Sequence, residues 1–410
     1  MKKLLILTHY YPPEIGAPQN RLHELAVRLK AAGLHVEVLT ALPNYPRMEI
    51  MEAYRNGQYR EEVIDGIPVH RSWIYVSHSK GIFTRLMNYF SFVVTSYFRG
   101  RKLASFDYMM VESPPLFLGY SALALKRKLK TKLIFNVSDL WPESAEKLGI
   151  VSNQRLLKLA YNLEAKCYKN ADLITGQTQG IVADIQRRFP DRNVFWLPNG
   201  VDVNYYNPET IEESDFRQKQ QFTKEDILFF YGGILGHAQG LEVILNAAKR
   251  TEQFPNIKYI LQGAGPEKEK LQALKDKLKL ENVFFLEPVS KNQIPGIVKS
   301  IDVALVPLKN LPLFQGAIPS KVFEALAMEK PLLLGVDGEA RTHFIDKANA
   351  GLFFEPENDT DLAEKAIWLA THPEALAEMG KNARKYVTEH FNRNQIANDF
   401  LEKLSSESKQ

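Results

Sequence analysis

Short apolar runs without polar alternation recur along the whole chain. In the first half they are LLILT, VEVLT, IPVHRSWI, YMMVE, KLIFNV, DLIT and NVFWLP, and in the second half ILFFYGG, IKYILQG, VFFLE, DVALVP, PLLLG and GLFFEP. Such runs predict strands that are buried on both faces, as in a parallel sheet. Helical patterns separate most of them, for example NRLHELAVRLKAAG, in which Leu22, Leu25 and Leu29 share one face. The alternation of strand and helix predicts an α/β fold with doubly wound sheets.

A polar stretch interrupts this pattern in the middle of the chain. After WLPNGVDVNYYNP no strand is predicted before ILFFYGG, and the intervening residues 209–226 are mostly polar. We therefore place a hinge near residues 199–206 and predict a first domain of residues 1–200 and a second of residues 201–389. The tail from Pro373 onward is predicted to be helical. Two domains of this kind are expected to face a cleft.

Composition narrows the class of protein. The chain has 410 residues, of which 45% are apolar and 24% charged, as in ordinary globular proteins. The single cysteine, Cys167, excludes a disulfide framework and a cysteine-rich metal site and fits a reducing, intracellular location. The first apolar run, from Leu4 to Leu7, is too short for the core of a signal peptide and is interpreted as a buried strand.

Charge is distributed unevenly, although the net charge is only +4. Ten lysines and arginines lie between Lys80 and Lys132, against the two acids Asp107 and Glu112. A basic excess of this kind indicates an anionic partner, either a membrane surface or a polyphosphate. No run reaches the roughly 18 uncharged apolar residues that a spanning helix needs.

One segment of this basic region, IFTRLMNYFSFVVTSYFRGRK, has the pattern of an interfacial helix. Basic side chains flank it, and it is too short to span a bilayer. A core helix of the first domain is the alternative. The second basic cluster, KRKLKTK at residues 126–132, favours peripheral binding to anionic lipid through the first domain. The apolar positions at near-helical spacing are Phe83, Leu86, Phe90, Val93, Val94 and Tyr97, and the flanking charges are Arg85, Arg99, Arg101 and Lys102.

Ligands of doubly wound sheets bind at the carboxyl ends of the strands, where loops enter helices. After the first strand, HYYPPEIGAPQNR places Gly16 before a helix that is predicted to begin near Gln19. A glycine there lets backbone N–H groups approach a phosphate, and the helix N-terminus attracts an anion. An ordinary turn glycine is the alternative.

Glycine-rich loops follow two strands of the second half. YGGILGHAQGL contains Gly233 in a glycine-dense turn suited to phosphate, where His237 and Gln239 would supply donors; an irregular connection is the alternative. LQGAGPEKEKL contains Gly263 and Gly265 and fits a capped helix start equally well. FLEPVSKNQI, around Val289, offers backbone groups to a flat base.

The stretch IPSKVFEALAMEKPLLLG carries two opposite charges at the start of an apolar helix. A capping box is one explanation, but with Ser320 as the N-cap the third helical residue is Phe323, not Glu324. A surface ion pair between Lys321 and Glu324 is a second, worth only about 0.2–0.5 kcal/mol. The third is nucleotide recognition, in which Lys321 and the helix N-terminus hold a diphosphate and Glu324 accepts hydrogen bonds from ribose.

Two acidic motifs complete the candidates. FNVSDLWPES places Ser138, Asp139 and Glu143 at a strand end, where carboxylates either do acid–base chemistry or cap a helix. NDTDL is the only Asp-x-Asp, and its position at a helix start indicates capping rather than a metal site. No other cluster has metal-ligand spacing, so no metal and no cofactor are expected.

Taken together, the motifs resemble a family. PPEIGAPQNR, SDLWPES, LPNGVD, GILGHAQGL, GAGP and PSKVFEALAMEKPLL occur in this order over some 320 residues, and the chain resembles the family-4 retaining glycosyltransferases of the GT-B fold. The resemblance implies two Rossmann-like domains, with the nucleotide-sugar held mainly by the second. It also implies that the tail, residues 390–410, crosses back to pack on the first domain.

The resemblance assigns roles to single residues. It places Gly16 against the diphosphate-sugar, Lys321 and its neighbouring amides on phosphate, Glu324 on ribose and Asp139 near the reacting sugar. Gly233, Gln239, Gly263, Gly265, Val289 and Ser320 complete the predicted substrate-binding set, and Asp139, Lys321 and His237 the predicted catalytic set.

This sequence departs from the family pattern at two places. The first glutamate of the family's paired glutamates corresponds to Gly316, and the usual Arg/Lys duo is replaced by His237 and Gln239. The missing carboxylate fits a donor sugar that lacks a hydroxyl there, such as a deoxy amino sugar. The motifs are most similar to those of N-acetyl-L-fucosamine transferases of surface-polysaccharide assembly.

The predicted function is transfer of a sugar, with retention of configuration and without a metal, from a nucleotide-diphosphate sugar, expected to be UDP-linked, to a lipid-linked saccharide. The expected partners are the donor, the acceptor and an anionic membrane on the cytoplasmic side, and no nucleic acid. A GT-B sugar-nucleotide epimerase and a non-catalytic nucleotide-sugar-binding membrane scaffold remain the alternatives. The basic, aromatic face favours a transferase over an epimerase, because an epimerase needs no acceptor surface.

Overall fold

The structure is a computed structural model that describes residues 2–45, 47–57, 60–79, 81–147, 149, 151–212 and 214–406. Lys80 of the basic region and residues 407–410 of the tail lie outside the described residues. The chain divides into two compact units: Met1–Asn199 with Asn394–Gln410, and Gly200–Arg393. The first boundary falls inside the predicted hinge, and the tail joins the first unit from Asn394 rather than from residue 390.

The first unit is built on one twisted sheet. Within its described residues eight strands pair in the order β3-β4-β2-β1-β5-β6-β7-β8, and all neighbours are parallel except β3 and β4. Strand β3 was not predicted, because a short strand rich in glutamate lacks the apolar run of a buried one. The strands are β1 (Lys3–Leu7), β2 (His35–Ala41), β3 (Glu61–Ile64), β4 (Ile67–Ser72), β5 (Tyr108–Ser113), β6 (Lys132–Val137), β7 (Leu173–Gly176) and β8 (Val194–Trp196).

Helices cover both faces of this sheet. Along β1, Leu5 and Leu7 pack with α2, α3, α5 and α6, whereas Leu4 and Ile6 pack on the other face with α1. Because both faces of the sheet are covered, successive side chains of β1 from Leu4 to Leu7 are all apolar and buried. The helices are α1 (Ala17–Ala31), α2 (Ile82–Gly100), α3 (Leu118–Leu129), α4 (Glu143–Lys147), α5 (Gln154–Asn170) and α6 (Gln179–Arg188).

The second unit repeats the architecture. Within its described residues six strands form a fully parallel sheet in the order β11-β10-β9-β12-β13-β14. The predicted strand runs all correspond to strands of this sheet. They are β9 (Ile227–Gly232), β10 (Ile257–Gln262), β11 (Val283–Leu286), β12 (Val303–Pro307), β13 (Leu332–Gly335) and β14 (Gly351–Phe353).

The helices of the second unit follow the strands, as a doubly wound sheet requires. The cluster of buried side chains on one face joins β9 and β10 to α8, α9, α13 and α14. The helices of the second unit are α7 (Phe216–Lys219), α8 (Glu242–Arg250), α9 (Lys268–Leu278), α10 (Ile294–Ser300), α11 (Ser320–Ala327), α12 (Glu339–Arg341), α13 (Asp359–Thr371) and α14 (Pro373–His390). A π-helix, Thr342–Lys347, follows α12.

The last helix, α15 (Arg393–Ser406), packs on the first unit. Its buried Ile396, Ala397 and Phe400 join the core on the α1 side of the sheet, and the Tyr108 hydroxyl donates to the carbonyl of Leu404 at 2.6 Å. Burial of these apolar side chains holds the tail to the first sheet. No helix among the described residues combines the length and the apolar character needed to cross a membrane.

Candidate functional site

The strand order of the second sheet reverses between β9 and its neighbour β12. β9 pairs with β10 on one side and with β12 on the other. The loops after such strands diverge and leave a crevice for ligands at the carboxyl edge. The motif YGGILGHAQGL follows β9, and the motif PSKVFEAL follows β12 after a connecting loop.

The glycine-rich loops after β9 and β10 pack backbone to backbone. Gly233 has a φ of 143° and Gly263 a φ of 154°, a region that side chains disfavour. A Cβ on Gly263 would lie 1.8 Å from the Gly233 carbonyl oxygen, and one on Gly265 would lie 2.3 Å from that of Leu235. The Leu235 N–H also donates to the Ala264 carbonyl at 2.9 Å. Glycine is therefore required at these positions by the close approach of the two chains.

Lys321 reaches this glycine-rich surface from the other side of the crevice. Its Nζ lies 3.6 Å from the centroid of the Tyr231 ring, and a Cβ on Gly233 would lie 3.0 Å from the same nitrogen. The ring face stabilises the ammonium group by a cation–π interaction. The Tyr231 hydroxyl in turn donates to the carbonyl of Ile234 at 2.6 Å. Motifs some 90 residues apart in the chain therefore meet at one point.

The local structure of α11 corrects one expectation. The helix begins at Ser320, so Pro319 and not Ser320 occupies the cap position, and no side chain caps it. The capping-box explanation for Glu324 is therefore excluded. Lys321 lies in the first turn, and the N-terminal N–H groups of α11 carry the positive end of the helix dipole.

Burial perturbs the two charged groups of this helix. It lowers the pKa of Lys321 to about 7, against the attraction of Glu324. It also raises the pKa of Glu324, against the attraction of Arg393, Lys291 and Lys321 and a hydrogen bond from Tyr206. Among the described residues Lys321 and Glu324 form no ion pair at 4.0 Å or less. A surface ion pair does not explain them, and both groups would gain from a bound polar ligand.

His237 and Gln239 lie on a short 3-10 turn between β9 and α8. The His237 side chain is 73% exposed, and its Nδ1 lies 2.7 Å from an oxygen of Glu267. Gln239 is partly buried, with its side-chain oxygen beside Gly236. His237 is thus held at the surface by an acid, a contact that the sequence pattern did not indicate.

Val289 lines a cavity of about 500 Å³ within the second unit. Its walls include the ends of β10 and β11, the start of α10 and residues 211–212, 214–216 and 219–220. Gln262, immediately before Gly263, also lines it, and its amide donates to the Glu287 carbonyl at 3.1 Å. The cavity therefore opens beside the glycine-rich loops.

In the first unit, Gly16 occupies the cap position of α1, which begins at Ala17 rather than near Gln19. Its φ of 175° is ordinary extended backbone. The preceding loop is fixed by Glu14, whose buried carboxylate accepts the N–H groups of Tyr11, Asn44 and Tyr45 at 3.2, 2.8 and 2.9 Å. Burial raises the pKa of Glu14, and these three hydrogen bonds oppose the shift.

Asp139 lies two residues beyond β6, at the carboxyl edge of the first sheet. Its Oδ1 accepts a hydrogen bond from the Ser144 hydroxyl at 2.6 Å, which ties it to α4. Burial raises its pKa, and the repulsion of Glu143 adds to the shift. Glu143 itself pairs with Lys147 at 2.6 Å. The hydrogen bond from Ser144 ties Asp139 to α4, and its perturbed pKa is typical of a functional carboxyl, so both alternatives remain open.

Ser138 belongs to a different group, one that the sequence analysis missed. Arg21 of α1 donates to Glu112 at 2.6 Å and to Ser138 at 2.7 Å. Glu112 also accepts from Ser138 and from Asn136, and the Thr175 hydroxyl donates to Asn136 at 2.5 Å. The network fixes the carboxyl ends of β5, β6 and β7 to one another. Glu112 and Asn136, polar residues inside buried strands, were the only sequence signal.

The NDTDL motif caps a helix, as predicted. The Asn358 side chain accepts the N–H groups of Thr360 and Asp361, and Asp361 accepts the N–H of Glu355 at 2.8 Å. Asp359 pairs with Arg250. Across the described part of the chain no three His, Cys, Asp or Glu side chains are grouped as a metal site would require.

Sequence comparison assigns both units to known families. Residues 16–200 match the family described as Glycosyl transferase 4-like domain, and residues 212–386 match Glycosyl transferases group 1. The chain belongs to the group 1 glycosyl transferases. The two matched regions meet near the boundary between the two units of this glycosyl transferase.

Two curated relatives of this glycosyl transferase illustrate the similarity. WcaI of Escherichia coli (strain K12), named for colanic acid biosynthesis, is 25% identical over 333 residues, which is 80% of this chain and 81% of WcaI. The D-rhamnosyltransferase WbpZ of Pseudomonas aeruginosa (strain PAO1) is 25% identical over 242 residues, 57% of this chain and 59% of WbpZ.

Solved structures confirm the predicted fold class, two Rossmann-like units of the GT-B type. Anabaena Alr3699/HepE in complex with UDP-glucose superposes with a TM-score of 0.73 at 18% identity and covers 99% of this chain and 100% of that chain. WaaG, a glycosyltransferase involved in lipopolysaccharide biosynthesis, gives 0.67 at 20% identity over 97% and 99%. At these identities the likeness establishes the fold of this glycosyl transferase.

Proposed function

We propose that this glycosyl transferase moves a sugar from a UDP-sugar to a lipid-linked saccharide in surface-polysaccharide assembly, with retention of configuration. The observation that carries the proposal is the position of Lys321, whose ammonium group lies on the Tyr231 ring beside the Gly233 loop. A partly buried cation at a helix N-terminus, facing the bare backbone of Gly233, is suited to a diphosphate.

Each group of the second unit then has a role. Lys321, the N–H groups near Ser320 and the glycine loops at Gly233, Gly263 and Gly265 bind the diphosphate. Glu324, one turn further along α11, accepts hydrogen bonds from the ribose hydroxyls. The cavity beside Val289 receives the base, whose flat edge meets the backbone of the segment after β11. HepE, a protein of the same fold, was solved in complex with UDP-glucose, which supports uridine as the base.

The reaction proceeds at the anomeric carbon of the donor. The bond from this carbon to the diphosphate oxygen breaks, and a bond to the acceptor hydroxyl oxygen forms on the same face of the sugar. The hydroxyl proton passes to an oxygen of the departing diphosphate, so no protein nucleophile is needed. Lys321 and the dipole of α11 stabilise the negative charge that develops on the leaving group, and no metal is required for that step.

The first unit contributes Gly16, placed against the diphosphate-sugar, and Asp139, placed near the reacting sugar. Burial raises the pKa of Asp139, so a hydrogen bond from a sugar hydroxyl would favour its charged form. His237 and Gln239 act as additional donors to the diphosphate. A bound anion would compete with Glu267 for His237.

The donor sugar is a deoxy amino sugar, with N-acetyl-L-fucosamine as the first candidate. Gly316 stands where the family has a carboxylate, and a sugar lacking the matching hydroxyl needs no such partner. The name of the relative WbpZ, a D-rhamnosyltransferase, also refers to a deoxy sugar. The acceptor is carried by a lipid, so the enzyme works as a peripheral protein on the cytoplasmic face of the membrane.

A thermal-shift panel tests the nucleotide. The full chain is heated with UDP, GDP, ADP, CDP and TDP in the presence of a chelator, since a ligand stabilises the folded state by mass action. We expect UDP to give the largest rise in melting temperature and chelator to leave it unchanged. An equal response to all five, or a rise that needs a divalent ion, would contradict the proposal.

A further inference from the structure

Helix α2 of the first unit has two opposite faces. On the inner face Asn88, Phe92, Ser96 and Gly100 follow one another at intervals of four residues, and all are buried. On the outer face large apolar side chains recur at intervals of three or four residues and are exposed. This α2 stripe consists of Phe83 (73% exposed), Met87 (43%), Phe90 (40%), Val94 (53%) and Phe98 (51%).

The stripe differs from the face that the sequence pattern indicated. Leu86, Val93 and Tyr97 were expected on the outer face, but each is partly buried. The two alternatives predicted for this segment therefore both describe α2 in part: one face packs in the core, and the opposite face is apolar and exposed. Exposed apolar side chains that lie in one row, unlike scattered ones, are typical of an interaction surface.

Exposed cations gather at one end of this stripe. α2 and α3 run parallel, because Ser96 bonds Ser121 at 2.8 Å and a Cβ on Gly100 would touch Leu125. Their C-terminal ends therefore lie side by side, although they are separate in sequence. This basic end consists of Arg101, Lys102, Arg127, Lys128 and Lys130, all exposed, and none of the five has an acidic partner within 4.0 Å in the described part of the chain.

At its middle the stripe continues toward the candidate site of the first unit. The rings of Phe90 and Phe117 are 4.9 Å apart, and those of Phe117 and Trp141 are 5.3 Å apart. Trp141 follows Asp139 by two residues, and its N–H donates to the Asp139 carbonyl at 2.9 Å. An apolar, aromatic surface therefore connects the outer face of α2 with the segment around Asp139.

We propose that the α2 stripe and the basic end together form a docking surface for an anionic lipid bilayer. Apolar and aromatic side chains along one helix face would enter the interfacial region, and the five cations would lie against lipid phosphates. A second copy of the chain would cover the apolar stripe but leave the cations without counter-charges. If the proposed function is right, the acceptor's lipid tail would lie along Phe90, Phe117 and Trp141. The docking surface itself does not depend on the proposed function.

Vesicle flotation of the full chain tests the surface. The probes are phosphatidylcholine vesicles with and without phosphatidylglycerol. We expect the parent to float only with phosphatidylglycerol and to be released by salt. Arg101→Gln with Lys102→Gln should weaken partitioning about thirtyfold, from about 1 kcal/mol for each cation. Met87→Gln with Val94→Gln should weaken it about tenfold.

Matched controls separate the surface from general charge and hydrophobicity. Lys277→Gln with Lys279→Gln removes two exposed cations of the second unit, and Trp368→Gln removes an exposed apolar side chain there. Neither control should change flotation. Melting temperature with and without UDP is measured for every variant and should match the parent.

Three results would overturn the docking surface: flotation equal in parent and α2 variants, flotation reduced as much by the controls, or a dimer that dissociates in the Met87/Val94 variant while no vesicle binding is seen. Failure of UDP to stabilise any of these proteins, with flotation as predicted, would instead refute the proposed function and leave the surface standing.

Discussion

At the scale of single residues, the proposed diphosphate site depends more on Lys321 than on any other side chain. Its placement in a strand-to-helix turn could be inferred from sequence, because the alternation of apolar run and charged helix start locates it at a carboxyl edge. The contact of Lys321 with Tyr231 could not be inferred from sequence. Nothing in the sequence of β9 indicates that its tyrosine ring will face a lysine of α11. The same holds for Arg21 and Glu112, which pair across 91 positions of the chain.

Replacing Lys321 with Ala removes the cation that the diphosphate is proposed to meet. We expect UDP to bind more weakly by about 1.5–3 kcal/mol, the range of hydrogen bonds to charged groups, and transfer to slow by at least the same factor. Calorimetric titration with UDP and a turnover assay measure the two effects. Lys277→Ala, an exposed lysine of the same unit, is the control; unchanged binding in Lys321→Ala contradicts the assignment.

The pKa of Lys321, about 7 in the free protein, predicts a pH dependence of binding. The diphosphate prefers the charged lysine, so above pH 7 the free protein must take up a proton to bind. The dissociation constant for UDP should therefore rise by up to about tenfold per pH unit between pH 7 and 9. Lys321→Arg stays charged over this range, and its affinity should be flat. A parent whose affinity does not change, or an Arg variant that follows the parent, would refute this linkage.

Glu324 is predicted to bind the ribose. Glu324→Gln keeps the size of the side chain but weakens its acceptor strength, so UDP binding should fall by about 1.5–3 kcal/mol, while inorganic diphosphate, which has no ribose, should bind as to the parent. Competition titrations with both ligands measure the contrast. Equal losses for the two would place Glu324 on the phosphates or in a structural role.

At the scale of elements, the sequence predicted most strands because a parallel strand buried on both faces is a continuous apolar run. Strand β3, Glu61–Ile64, was not predicted because it is a short antiparallel edge strand with exposed side chains and lacks such a run. Of the residues predicted to face outward from α2, Phe83, Phe90 and Val94 are exposed, whereas Leu86, Val93 and Tyr97 are partly buried. The spacing of apolar residues indicates that a helix is amphipathic. Which of its faces is buried depends on its packing, here against β4, β2 and α3.

The close packing of the loops around Gly233 and Gly263 is predicted to be needed for UDP binding. Gly263→Ala would place a Cβ 1.8 Å from the Gly233 carbonyl oxygen at a φ of 154°, so the loops must separate. We expect a loss of stability of roughly 1–3 kcal/mol together with loss of UDP binding. Gly33→Ala has a similarly positive φ of 93° but no neighbour within 4 Å.

That control should lose only stability, about 1 kcal/mol, and keep the affinity for UDP. Thermal unfolding and UDP titration of both variants make the comparison. If Gly263→Ala binds UDP like Gly33→Ala, the loop geometry is not part of the nucleotide site.

At the scale of the whole molecule, repetition of the same strand-and-helix pattern in both halves was enough to predict two doubly wound units, and the solved structures of the same fold confirm it. The return of α15 to the first unit was predicted only through the family resemblance, because a helix pattern does not reveal its packing partner. The donor, the acceptor and the stereochemistry depend on contacts that a sheet topology leaves open.

Transfer of labelled sugar from UDP-sugars into lipid extracts tests whether the protein is a transferase. The full chain is incubated in chelator with a panel of labelled UDP-sugars, including UDP-N-acetyl-L-fucosamine, and with membranes of the encoding organism. We expect label in the lipid fraction with the anomeric configuration of the donor, and at least tenfold less label with Lys321→Ala. Conversion of one UDP-sugar into another without transfer, or binding without any turnover, would contradict this expectation in favour of an epimerase or a scaffold.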